Sequence, residues 1–204
     1  MAKIALNKSE MKKQIDRLKT YNKFLPSLDL KRKQIIAERN KARDQVHALQ
    51  ADLRELEAQI QAHFPMLSES TLDLNGLMTV TDIRLGKENI VGVKLPVFEG
   101  YETSVTEYGL LATPHWMDAL MTAFSGLLGA RLKIRVAQHR YDLLEYALVK
   151  TTQRLNLFDK VLIPEAKENI KHIKIYLSDF ERASVVQAKI AKGKSEKKSE
   201  EKKA

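Results

Sequence analysis

Residues 134–162 read IRVAQHRYDLLEYALVKTTQRLNLFDKVL. Within them Ile134, Ala137, Tyr141, Leu144, Leu148, Thr151, Leu155, Phe158 and Leu162 follow one another in alternating steps of three and four. Such steps average about 3.5 residues, the repeat of a left-handed coiled coil. The stripe shifts by one position at Ile170 and continues through Ile173, Leu177 and Phe180. The pattern predicts one helix over 130–191.

A second helix of the same kind lies near the other end of the chain. Met11, Ile15, Leu18, Tyr21, Leu25 and Leu28 form its stripe, which resumes at Val46, Leu49, Leu53, Leu56 and Ile60. Arg32 and Arg39 take stripe positions in between, so a partner or a bend is expected there. His63-Phe64-Pro65 ends the helix, because proline disfavours helical backbone in the residue before it. Residues 1–64 are therefore one helix. Two helices of roughly 60 residues would each run ~90 Å, too far to be buried in one globular core. The expected fold class is mainly α: a long antiparallel two-helix left-handed coiled coil with a small β-hairpin and short-helix insert at the turn.

The insert, 65–129, has a different composition. Leu77-Met78-Thr79-Val80-Thr81 and Ile90-Val91-Gly92-Val93-Lys94-Leu95 are rich in β-branched residues; Gly86 lies between them, and Pro96 and Gly100 follow. A hairpin over about 77–107 is expected. Thr113-Pro114-His115-Trp116 reads as a helix start. That helix either feeds into the second long helix or breaks from it at Gly126 or Gly129. Residues 192–204, lysine-rich and nearly free of apolar side chains, are expected to be a disordered tail.

The chain has 204 residues, no cysteine, and 30% charged side chains. Without cysteine there is no disulfide framework, thiolate metal site or cysteine nucleophile. The N-terminus lacks the apolar core of a signal peptide. The longest uncharged run near a candidate span, Ala119 to Ala130, is far short of the roughly 20 residues that cross a bilayer. No direct membrane insertion is expected.

The net charge of +9 is unevenly spread. Residues 1–43 carry +9, 44–129 carry −8, 130–191 carry +5 and the tail +3. In a hairpin the basic segments fall toward the termini and the acidic one toward the insert. Nucleic acid is not the expected partner, since the lysines are spread around the helix with no aromatic stacking platform among them. A basic shaft inside an acidic sleeve fits better.

No catalytic site emerges, and no cofactor or metal is expected. Gly86-Lys87 resembles the end of a phosphate-binding loop, but Thr81 and Glu88 stand where that motif needs glycine and Ser or Thr. His47, His63, His115, His139 and His172 include no pair at helical metal-ligand spacing. Ser104, Ser125 and Ser184 lack the glycines of a nucleophile elbow. Pro26 and Pro164 lie inside helical patterns, and each removes a backbone hydrogen bond. If Ile60 faces Ile134, Pro26 comes level with about residue 168, close to Pro164, which suggests a shared bend.

Lys150-Thr151-Thr152-Gln153-Arg154-Leu155-Asn156, followed by Val161-Leu162-Ile163-Pro164, resembles the C-terminal signature of the D subunit of V-type and A-type ATPases. That signature is Lys-Thr-Thr-x-Arg-x-Asn, then an apolar Ile-Pro, then a long helix. Here the helix passes Ile170, Ile173 and Leu177 to Glu181-Arg182 and Lys189-Ile190-x-Lys192, which is also family-like. Leu25 to Lys33 resembles the family's Leu-Leu-Lys-x-Lys-Arg segment. Pro26 and Lys33-Gln34-Ile35-Ile36 depart from the pattern and mark a divergent branch.

The resemblance implies a non-catalytic central-stalk rotor that transmits torque between the ring of catalytic A and B subunits and the membrane rotor. It implies contacts with the F subunit of the stalk and with the subunit linking the stalk to the membrane ring, at a cytoplasmic, membrane-peripheral location. Carried over to this chain, it makes Lys31, Arg32, Lys33, Lys150, Arg154, Asn156, Lys189 and Lys192 partner-contact candidates, with Pro26 and Pro164 as helix bends. A free-standing coiled-coil chaperone or adaptor of the prefoldin kind is the alternative.

Overall fold

The computed structural model describes residues 5–68, 76–106, 109 and 114–201, with side chains to residue 194 apart from that of Ser68. Thr113 of the expected helix start, the first four residues and the last three lie outside the described residues. Helix α1 runs Lys8–His63, strands β1 and β2 run Met78–Ile90 and Val93–Val105, and helices α2 and α3 run Met117–Leu157 and Ile163–Glu201. A 3-10 turn, Pro65–Ser68, follows α1, and a π turn, Phe158–Leu162, separates α2 from α3. The protein is mainly α, with long N- and C-terminal helices and one antiparallel hairpin, as the apolar periodicity requires. The chain divides into a central unit, Lys31–Thr151, and a terminal unit made of the segments up to Leu30 and from Thr152.

In the terminal unit α1 starts at a side-chain cap, with the Glu10 backbone N–H donating to Asn7 Oδ1 at 2.6 Å. This satisfies one of the helix's orphan donors. Lys8 pairs with Glu181 at 3.2 Å, and the rings of Tyr21 and Phe158 meet edge to face with centroids 5.4 Å apart. As α1 ascends its partner descends, so the two are antiparallel. The buried side chains are Gln14, Ile163, Ala166 and Ile173. Full burial of a side chain like Ile173 contributes about 1.5–3 kcal/mol.

The expected pairing started from a displaced anchor. With Ile60 opposite Ile134, Glu57 would face residue 137, yet it is Arg131 that reaches Glu57, at 3.0 Å. Pro26 remains inside continuous helix with its ring exposed.

In the central unit the hairpin lies back along α2. At its base, Leu77 and Met78 pack on Met117, Leu120 and Met121, together with Phe64, Leu67 and Trp116. Further along, the Tyr101 hydroxyl donates to the Ser125 carbonyl at 2.8 Å. Arg140 then reaches Glu88 at 3.0 Å and the Pro96 carbonyl at 3.4 Å. At the tip, Ile90, Val91, Val93 and Leu95 join Ile35, Ala42 and Leu144 in the main core. The interruption at Arg32 and Arg39 is thus where the chain's own hairpin tip docks. Both arginines are half-buried, while Ile35, Ala42 and Val46 continue the stripe between and beyond them.

The hairpin turns at Val91-Gly92, with φ of 54° and 81°, the two-residue geometry that matches strand twist. Gly86 is mid-strand, opposite Val97, next to a register shift at Arg84/Leu85. Helix α2 passes through Gly126 and Gly129 unbroken, so the helix expected to begin near Pro114 forms its first turns. Helix α3 continues to Glu201, past Lys192, where composition alone marks a disordered tail. Lys, Glu and Ala cannot build a core there, but they are strong helix formers.

Candidate partner-binding surfaces

The residues of the signature divide by helical position. Thr151 is buried, and its hydroxyl donates to the Ala147 carbonyl at 2.8 Å. Lys150 points outward, its Nζ 5.4 Å from the centroid of the exposed Tyr146 ring. Such a cation–π contact holds the ammonium near a fixed position at the surface. Arg154 and Asn156 are exposed, with the exposed apolar side chains Leu157 and Val161 close in sequence.

The basic cluster on α1 is only partly a solvent face. Lys31 and Arg32 are half-buried and Lys33 is exposed. A Cβ at Gly92 would lie 3.4 Å from Lys31 Nζ, so Lys31 is beside the hairpin tip and takes part in an internal contact. Lys189 and Lys192 are exposed on α3. The candidates therefore fall into separate groups: Lys31, Arg32, Lys33 and Lys150 in the central unit, and Arg154, Asn156, Lys189 and Lys192 in the terminal unit.

Sequence reasoning missed two apolar surfaces. On α3, Ile175, Val186 and Ile190 are each more than half exposed, among the exposed cations Lys171, Lys174, Arg182 and Lys189. Their signal was available, since all three are apolar positions off the coiled-coil stripe. The other surface is a shallow groove between the hairpin and α2, lined by Ile83, Leu85, Pro96, Leu132, Val136 and His139. Its strand residues, Ile83 and Leu85, are 41% and 49% exposed. Only the docking of the hairpin along α2 creates it, so no local pattern could reveal it. The apolar side chains gathered in this groove make it a candidate interaction surface.

Among the described residues, no group of three or more His, Asp or Glu side chains could hold a metal ion. Tyr141 has its pKa raised, first because its hydroxyl is hydrogen-bonded to Glu145, then by burial and the Glu145 charge; Arg39 and Arg43 pull the other way. This is a structural contact on the helix flank. Among the described residues, no helix is long and apolar enough to cross a membrane.

Comparison with known proteins adds a family. The family model for the D subunit of ATP synthase matches residues 10–193. The chain is 35% identical to the D subunit of the V-type ATP synthase of Borreliella burgdorferi, over 94% of this chain and 95% of that one. It is 32% identical to the protein of the same name from Chlamydia felis, over 98% and 97% of the two chains. The corresponding protein of Chlamydia muridarum is 30% identical, over 95% and 96%.

Proposed function

This chain belongs to the ATP synthase D-subunit family, and on that premise we propose that it is the central-stalk rotor of a V-type ATPase or ATP synthase. It carries torque between the catalytic ring of A and B subunits and the membrane rotor, and catalyses nothing itself. Its other partners are the F subunit and the subunit that links the stalk to the membrane ring. It sits at the cytoplasmic face of the membrane as a peripheral component.

The observation that carries this reading is the terminal unit. There α3, antiparallel to α1 up to Glu181, displays Ile175, Val186 and Ile190 among lysines and arginines, the surface that a surrounding sleeve is proposed to touch. Long-range attraction between a basic shaft and an acidic bore centres the shaft with few fixed contacts. Weakly directional apolar contacts suit a surface that must slide past its neighbours. Lys31, Arg32, Lys33, Lys150, Arg154, Asn156, Lys189 and Lys192 are the contacts proposed with these partner subunits.

Purification of the tagged chain from its own cells tests the proposal. Co-recovery of A, B and F subunits in fixed proportion is the expected result. Recovery of unfolded client proteins alone would instead favour the free-standing chaperone reading.

A further inference from the structure

The apolar stripe of the terminal unit changes phase once. Leu155 and Phe158 obey the alternation of three and four; continued, it would reach Leu162, Glu165, Asn169 and His172. The last three are polar. The buried positions are instead Ile163, Ala166 and Ile173, with Ile170 half-buried between them. Each stands one residue later than the repeat demands.

The excess residue is absorbed in the backbone. Over Phe158–Leu162 the helix widens to a π turn, and the Ile163 N–H donates to the Phe158 carbonyl, five residues back instead of four. Pro164 follows at once and has no N–H to donate. Two weaknesses in the hydrogen-bond ladder are therefore adjacent. π turns inside α-helices are rare and recur at functional sites.

We propose that the π turn and Pro164 together form a compliant joint in the terminal coiled coil, created by one residue in excess of its repeat. Its mechanical use rests on the rotor reading: a joint of this kind lets a shaft store twist between drive and load. Its existence does not rest on that reading. Removing the exposed Lys160 would return Ile163, Ala166, Ile170 and Ile173 to an unbroken alternation from Phe158.

Hydrogen exchange and thermal unfolding of the full-length chain test the joint. Wild-type amides at 160–163 and 165 are expected to exchange at least about tenfold faster than those of the flanking turns. Deletion of Lys160 combined with Pro164→Ala should remove that difference. It should also raise the Tm by about 5 °C or more, and above that of Pro164→Ala alone. Deletion of Lys171, which throws Ile173 and Leu177 off the stripe, should lower it. Uniform exchange in the wild type, or a double variant melting no higher than Pro164→Ala, would overturn the proposal.

In the assembled ATPase, the double variant should lose at least half its turnover against an ion gradient. Wild-type turnover there would overturn the mechanical role. A chain that never enters the complex would contradict the rotor reading instead, which the exchange and melting results do not require.

Discussion

Gly129 is buried on α2 beneath Tyr101, and a Cβ at that position would lie 2.6 Å from the Tyr101 hydroxyl oxygen. Two effects oppose each other on Gly129→Ala. Alanine is better than glycine in a helix by about 1 kcal/mol, while forcing a methyl into a filled space costs about 1–3 kcal/mol. We expect the clash to win in the wild type and chemical denaturation to show a net loss. In a Tyr101→Ala background the same substitution should become stabilising, and a loss of equal size in both backgrounds would show that Tyr101 is not the cause. Tyr141 gives a pH-dependent prediction. Its pKa lies above the usual value of 10.0, so the fold holds the proton more tightly than the unfolded chain does. That contribution is complete below about pH 10 and is lost as pH rises through the raised value. The stability advantage of wild type over Tyr141→Phe should accordingly be constant from neutrality to about pH 9 and shrink above about pH 10 in urea melts.

At the scale of elements, α3 does two jobs along its length. Up to Leu177 its stripe is buried or half-buried, whereas every residue from Glu181 to Lys192 is exposed. Truncation after Phe180 should therefore move the Tm by no more than about 2 °C. The Lys8–Glu181 pair that it removes is well exposed and contributes little. The same truncation in the complex should uncouple ATP hydrolysis from ion movement; pumping at wild-type stoichiometry would show that the last turns are no coupling element. The helices themselves were legible in the sequence because their stripes are long and periodic. The one-residue shift at Ile170 was also visible, but whether the backbone would meet it with a π turn was not. The hairpin was legible as a composition change, yet its turn at Val91-Gly92 was obscured by a β-branched residue at positive φ, a conformation its side chain disfavours. Packing of Val91 into the core around Ile35 holds it there. The contact candidates were legible as a motif, but Lys31 and Arg32 proved half-buried, because the docking of the hairpin tip is a long-range event that no local pattern encodes.

For the whole molecule, the central claim is that the chain turns. Its basic terminal unit, with the apolar flank of α3, is proposed to sit within the catalytic ring. The absence of cysteine permits a single attachment point: Ser104→Cys, at an exposed position of β2, can carry a bead while the catalytic ring is fixed to a surface. Single-molecule imaging on addition of ATP is then decisive. The account predicts sustained rotation of the bead in one direction, at a rate that follows ATP hydrolysis. A bead that stays still while the immobilised complex hydrolyses ATP at its normal rate would contradict it.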